Sequence, residues 1–293
     1  MKLSVVVTTY NRAEPLSWTL DSLTRQTLQP DELIVCDNCS EDETETVVKS
    51  FQGKFKKLIY HRNATNIGMP GHLNKGIKKA AGEYIANLHD ADTFEPDLLE
   101  KWAKALDDFP KSGFVFCGIN SCGSDPSRSK IFLHDVAPYT EGKEFFKQHF
   151  LYKQGSLVRG TVMARSSAYK NLGLFDECWG IEADVDMWMR MCSKYGVAYV
   201  REPLQICSND HLSRSEKMHF LNFYAQLDVN LDKVLSNDEE SLRNVRSRIR
   251  AIRRKRFLYL SASQIKRRNF FTAFHLFKWA WSRQLNYLKN PAN

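Results

Sequence analysis

The sequence predicts an α/β fold, a largely parallel sheet between helices, followed by a helical C-terminal region. Two observations predict it. Over the first two hundred residues, short β-branched runs alternate with segments whose apolar residues recur at helical spacing, the rhythm of βαβ units. After about residue 215 the strand-like runs stop and apolar residues fall only into helical stripes. At 293 residues and 43% apolar, the chain is long enough for one large domain or one plus a smaller one. The expected division is 1–215 for the α/β part and 216–293 for the helical part.

The elements follow in order. SVVVT (4–8), ELIVCD (32–37), KLIYHR (57–62), YIANLHD (84–90), GFVFCGI (113–119) and VAYVRE (197–202) are rich in β-branched and aromatic residues at strand length, and predict strands. Between them, helical periodicity predicts helices over 14–26, 41–51, 71–81, 96–107 and 184–195. Glu95-Pro96 suits the start of the fourth helix, because proline is favoured in a first turn. Beyond residue 215, Phe220, Tyr224, Leu227, Leu231 and Val234 form one stripe, and Phe270, Phe274, Phe277, Trp281, Leu285 and Leu288 another. Packing on the main domain or on each other is their simplest role.

Charge is unevenly distributed. No Asp or Glu follows Glu240, whereas fourteen Lys and Arg lie between Arg243 and Asn293; removing these from the formal +8 leaves residues 1–242 at −6. A basic pI therefore describes the tail and not the whole protein. The N-terminal apolar run is broken by Thr8, Thr9 and Asn11 and does not read as a secretory signal. No apolar run approaches the ~18 residues of a membrane span. The seven cysteines are scattered, and Cys36-x-x-Cys39 has no second pair to complete a zinc site. The expected location is cytoplasmic.

Ligands in open α/β sheets bind beyond the carboxyl ends of the strands. Three strand ends are rich in polar groups: Thr8-Thr9-Tyr10-Asn11-Arg12, Asp37-Asn38-Cys39-Ser40 and His89-Asp90-Ala91-Asp92. Each alone has a plain explanation. Asp37-Asn38 suits an Asx-type turn, and a D-x-D suits a solvated loop.

Taken together and in order, they resemble family 2 of the glycosyltransferases. SVVVTTYNRAEPLSWTLDSLTRQTLQPDELIVCDNCSEDET is similar to that family's opening, in which a strand ends in a TYNR-like motif, a helix closes with Q-T, and a second strand ends in D-D/N-G-S-x-D-x-T. NIGMPGHLNKGIKKAAGEYIANLHDADTFEPDLL is similar to its next block, where two N-x-G and an A-x-G-E-Y-I lead to D-x-D and a later proline. GLFDECWGIEADVDMWMRM resembles G-x-F-D-E followed by E-D-x-D-L-W-x-R. The resemblance runs from Lys2 to about Glu216.

It implies a GT-A fold, a Rossmann-like nucleotide-binding α/β/α sandwich with a C-terminal helical appendage. It further implies inverting transfer of a sugar from a nucleoside-diphosphate donor to a hydroxyl, with Mn2+ or Mg2+ as cofactor. A divalent cation offsets the charge that grows on a departing diphosphate, and such ions accept one or two protein carboxylates plus phosphate oxygens. Asp90 and Asp92, two apart on extended chain, face one side. Asp92 is the expected metal ligand, Asp90 is closer to the ribose or to a metal-bound water, and His211 is a further candidate ligand. His89 replaces an Asp of many relatives and receives no role. Thr8 and Tyr10 match positions around the base, and Asp37 with Asn38 match the pair that reads its edge. Arg12, Asn66 and Ala91 complete the implied nucleotide-sugar site. Since Asn38 stands for an acid and Cys39 for a glycine, the base stays open, with uridine favoured over thymidine and guanosine. Inversion needs one general base. The family's E-D pair falls on Ala183-Asp184, so Asp184 is the expected base and Asp186 the runner-up, although Asp184 also suits a helix N-cap. Arg214 suits phosphate, and Trp179 either an acceptor sugar or the core.

The Arg-rich run between Arg243 and Lys289, studded with aromatic residues, suits an anionic membrane surface near a lipid-linked or glycan acceptor; a solvated helical face follows, and nucleic acid is third. The alternative of another class is a non-catalytic GT-A-like scaffold binding nucleotide, membrane or nucleic acid, suggested by the departures at Ala183 and Cys39.

Overall fold

The computed structural model describes residues 2–122, 129–152, 156–208 and 216–235, together with isolated positions beyond. Ten strands form one sheet: β1 (Leu3–Thr9), β2 (Glu32–Asp37), β3 (Leu58–Arg62), β4 (Tyr84–His89), β5 (Asp92–Phe94), β6 (Ser112–Cys122), β7 (Lys130–Phe132), β8 (Tyr139–Thr140), β9 (Val162–Arg165) and β10 (Gly196–Ser208). The helices are α1 (Ala13–Thr24), α2 (Thr44–Ser50), α3 (Met69–Lys79), α4 (Leu98–Asp108), α5 (Gly142–Phe145), α6 (Ser166–Leu172), α7 (Ala183–Met191) and α8 (Glu216–Leu235). A π-helical segment, Phe146–Tyr152, continues α5, and a 3-10 segment, Glu177–Glu182, leads into α7.

The strand order is β3-β2-β1-β4-β9-β6-β10-β5, with β7 beside β6 and β8 beside β10. Strands β3, β2, β1 and β4 are mutually parallel, as are β6 and β10. The expectation of a largely parallel sheet needs correction. Antiparallel β9 is inserted between β4 and β6, and short β5, β7 and β8 add antiparallel pairs at the other end. Alternation of side chains gives the sheet two buried faces. Val5, Val7, Leu33, Val35, Ala86 and Leu88 face α1, α2 and α4, and Val6, Ile34, Cys36 and Ile85 face the opposite layer with α3 and α7. The result is an α/β/α sandwich. Helix α3 lies against the sheet because residue 76 is glycine: a Cβ there would stand 2.5 Å from Val6 Cγ1 and 2.9 Å from Cys36 Sγ.

Helix α7 carries Ala183, Met187, Trp188, Met189 and Met191 fully buried, since the sheet lies on one side and α8 on the other. Phe223, Leu227, Leu231, Val234 and Leu235 of α8 belong to the same core as α7. Gln226 Nε2 donates to the Glu182 carbonyl at 2.8 Å, and Asn230 Nδ2 to Asp186 Oδ1 at 2.8 Å. Helix α8, beyond the expected division at 215/216, thus packs into the same core as α7, the role expected of its apolar stripe. Most of the basic tail, Arg243 to Lys289, lies outside the described residues. No helix among the described residues is long and apolar enough to cross a membrane.

Candidate active site

After β3 the chain returns to the other side of β1, so β1 and β4 flank a crevice where the strand order reverses. A cavity of about 860 Å3 opens there, within the usual size for a small-molecule site. One wall comes from the first ninety-two residues, with Thr8, Tyr10, Arg12, Asn38, Asn66, Asp90, Ala91 and Asp92. The other comes from distant sequence, with Arg159, Gly160, Glu177, Asp184 and Gln205. Eight of the nine nucleotide-sugar positions expected from sequence therefore line one cavity, together with Asp184.

The exception is Asp37, and it is a correction. Its buried carboxylate accepts from Ser40 N (2.9 Å), Ser40 Oγ (2.5 Å) and Tyr60 Oη (2.6 Å), and Arg62 Nε stands 3.7 Å away. These bonds shape the turn after β2 and leave Asp37 off the cavity lining. The turn requires a left-handed residue, and Cys39 takes it at φ 72°, a conformation a glycine adopts more readily. Asn38 does reach the cavity, but its Oδ1 accepts from Asn63 Nδ2 (3.1 Å) and Ile67 N (2.9 Å), and its Nδ2 donates to Asn66 Oδ1 (2.7 Å). Arg12 Nη1 meets Asp90 Oδ1 at 3.1 Å, so Asp90 is an anchor for the arginine. Tyr10 is 43% exposed and presents its ring at the mouth.

The D-x-D is not one extended strand, as expected, but a turn: β4 ends at His89, Asp90 and Ala91 turn, and β5 begins at Asp92. Helix α1 and the loop after it hold this turn. Thr19 Oγ1 donates to the Asp92 carbonyl (2.6 Å), and Gln26 bridges the Glu95 carbonyl (2.8 Å) and Leu99 N (3.0 Å). The Q-T pair of the sequence is thus a clamp on the strand that carries Asp92, with Thr27 N donating to the Pro96 carbonyl (2.8 Å). The Asp92 carboxylate accepts from Gln205 Nε2 on β10 (2.7 Å), and His89 Nδ1 lies 3.6 Å from the same oxygen. Among the described residues no group of three or more His, Cys, Asp or Glu is arranged to hold a metal. The donors here do fit an ion that retains phosphate oxygens and water, which needs only one or two protein ligands. His211 and Arg214 lie outside the described residues.

Asp184 sits in the first turn of α7; the N-cap is Glu182, so Asp184 is not the cap. It lines the cavity, accepts from Val185 N at 2.8 Å, and has no cation within ion-pair distance among the described residues. Removal from solvent pushes its carboxyl up to about 6, against smaller opposing effects from Val185 N and the nearby His89. Asp186 faces the other way, and the expectation that it might serve as base is corrected. Its Oδ2 is bound by Arg190 Nε (2.6 Å) and its Oδ1 by Asn230, while Arg190 also donates to the Leu172 (2.9 Å) and Leu174 (2.8 Å) carbonyls. Asp186 is part of the scaffold that sets α7. Trp179 is buried in the core. Asn74 closes the remaining link, exchanging two bonds with the Phe175 backbone (2.8 and 3.0 Å), so that the segment before α7 is tied to α3.

Sequence reading missed Arg159, Glu177 and Gln205. Arg159 lines the cavity with no carboxylate at ion-pair distance among the described residues. It precedes Gly160, just ahead of the short strand β9, which gave no period-two signal to place it.

Comparison with known proteins gives the family and the fold. The Glycosyl transferase family 2 profile matches residues 4–173, more than half of the chain. An uncharacterized glycosyltransferase of Methanocaldococcus jannaschii is 29% identical over 229 residues, 76% of this chain and 77% of its own length. A second, from Rickettsia typhi, is 30% identical over 69% of this chain and 62% of its own. The crystal structure of S. aureus TarS 1-349 superposes with a TM-score of 0.63 at 20% identity, covering 81% of this chain and 66% of that one, and TarS has been crystallised with UDP and with UDP-GlcNAc. The chain belongs to glycosyltransferase family 2 and has the GT-A fold.

Proposed function

We propose that the protein is an inverting, metal-dependent transferase that moves a sugar from a nucleoside-diphosphate sugar, with uridine favoured, to a hydroxyl of a glycan or lipid-linked acceptor in cell-surface polysaccharide synthesis. The observation that carries this reading is the meeting, in one cavity, of the nucleotide-side strand ends, the Asp92 carboxylate, and a lone Asp184 whose carboxyl is pushed up to about 6.

Each residue then has a task. Thr8, Tyr10, Asn38 and Asn66 form the nucleoside end of the cavity, and Arg12, fixed by Asp90, adds positive charge there. Arg159, with no carboxylate at ion-pair distance among the described residues, faces the diphosphate, where its planar fork suits oxyanions. When bound beside Asp92, Mn2+ or Mg2+ supplies charge neutralisation to the leaving diphosphate. Asp184 accepts the proton of the acceptor hydroxyl as its oxygen attacks the anomeric carbon on the face opposite the diphosphate. A carboxyl titrating near 6 is ionised at neutral pH yet more basic than an ordinary aspartate, which suits general-base work. TarS, with its UDP and UDP-GlcNAc complexes, supports the uridine donor. The basic tail supports placement at the inner face of a membrane.

Thermal shift tests the reading. UDP with Mn2+ is expected to raise Tm more than UDP with chelator, and more than GDP or dTDP with Mn2+, and Asp92→Ala should lose the metal-dependent part. No metal-dependent shift with any of the three nucleotides would overturn it. Binding to vesicles with anionic lipid, lost on removal of Arg243 to Lys289, tests the membrane placement.

A further inference from the structure

The metal reading gives no task to His89, a cavity residue near both the Asp92 carboxylate and Asp184. His89 ends β4, its side chain 49% exposed to the cavity, with Nδ1 3.6 Å from Asp92 Oδ2. Two ligands each about 2.1 Å from one ion stand about 3.0–3.4 Å apart, so little adjustment separates this pair from shared coordination. The far side of the ring is equally defined. Nε2 lies 2.4 Å from the point where residue 160 would carry a Cβ, and Asp184 Oδ2 lies 3.7 Å from that same point. Gly160 therefore leaves the space that the imidazole fills, and any side chain there would displace the ring. Metal-bound histidines commonly direct the second ring nitrogen at a carboxylate, and ligating carboxylates are themselves held by hydrogen bonds. Gln205 supplies the second of these features here, and Asp184 stands near the Gly160 side of the ring, outside ion-pair distance of Nε2.

Resting on the metal-dependent reading above, we propose that His89 is a protein ligand to that ion through Nδ1, with Nε2 turned towards Gly160, and that it biases the site towards manganese over magnesium. Magnesium demands oxygen ligands in near-ideal octahedral geometry, whereas manganese tolerates imidazole nitrogen. A carboxylate at position 89 would remove that bias.

The test is spectroscopic and needs no turnover. Mn2+ is added to the full chain with UDP, its affinity is measured by electron paramagnetic resonance with Mg2+ as competitor, and directly bound nitrogen is sought as electron spin-echo modulation. Wild type is expected to show nitrogen modulation, and His89→Asp to lose it and to lower the manganese-over-magnesium preference about tenfold. His89→Asn serves as second variant should the charge disturb folding, and is expected to lose the modulation too. Bound Mn2+ without nitrogen modulation in wild type, modulation persisting in both variants, or an unchanged metal preference in His89→Asp would overturn the proposal. If wild type with UDP binds no Mn2+ at all, the metal-dependent reading itself fails, which is a separate result.

Discussion

The two walls of the cavity are built differently. On the wall from the first ninety-two residues, polar side chains are bonded to one another: Arg12 to Asp90, and Asn38 to Asn63, Asn66 and Ile67 N. On the opposite wall Arg159 and Asp184 face the cavity with no opposite charge at ion-pair distance among the described residues. A wall whose groups already satisfy each other is preorganised to bind and has little chemistry left to offer. Unpaired, desolvated groups are costly to the fold and reactive towards a ligand, which is where perturbed titration concentrates. Under the proposed function, the contrast corresponds to holding on one wall and proton transfer on the other.

Four substitutions and conditions would break or sharpen that division. The largest effect is expected from Asp184→Asn, which removes the proposed proton acceptor while keeping its shape: transfer should fall by about 10^3-fold or more, with UDP affinity by calorimetry changed less than about threefold. Retained transfer would move the base elsewhere. Next, Asp186→Ala leaves the Arg190 guanidinium buried without its carboxylate, and should cost about 3 kcal/mol in urea unfolding while the folded fraction keeps its specific activity. A selective loss of activity would return Asp186 to the chemistry. Arg12→Ala unties Asp90 on the binding wall and should weaken UDP about tenfold with kcat nearly unchanged, measured by initial rates at saturating donor. The smallest effect concerns pH. Since the Asp184 carboxyl titrates at about 6 in the fold, against an ordinary 3.8, transfer should rise with pH up to about 6 and level above it. The sign for stability is opposite. The fold binds that proton more tightly than the unfolded chain, so it loses stability as pH rises from about 4 to 6, and Asp184→Asn should be more stable at pH 7.5 by about 1–2 kcal/mol. A flat profile, or a variant less stable than wild type, would contradict the desolvated environment.

The binding wall was largely legible in sequence, because it is local. Strands β1, β2 and β4 are largely apolar runs that stop in polar clusters, and βαβ order brings those ends together. The second wall was not. Four-residue β9 and three-residue β5 are too short to show a period, and each is defined by partners far along the chain. Asp37 and Asp186 look in sequence like their neighbours Asn38 and Asp184, and only tertiary partners separate them. Tyr60 and Ser40 withdraw the first, and Arg190 with Asn230 withdraw the second. The Q-T pair was noticed as a motif, but that Gln26 holds the strand behind Asp92 depends on a bond to residue 95, which periodicity does not reveal.

Helix α8 has a practical consequence for protein engineering. A shortened chain that stops where the strand pattern ends, after β10, would retain the cavity-lining residues named above and still lose the buttress behind α7. Gln226 and Asn230 would no longer brace the start of that helix, and Leu227, Leu231 and Val234 would leave an apolar trench in its place. A fragment worth expressing therefore extends at least through Leu235, and a tether attached there pulls on the helix packed behind α7.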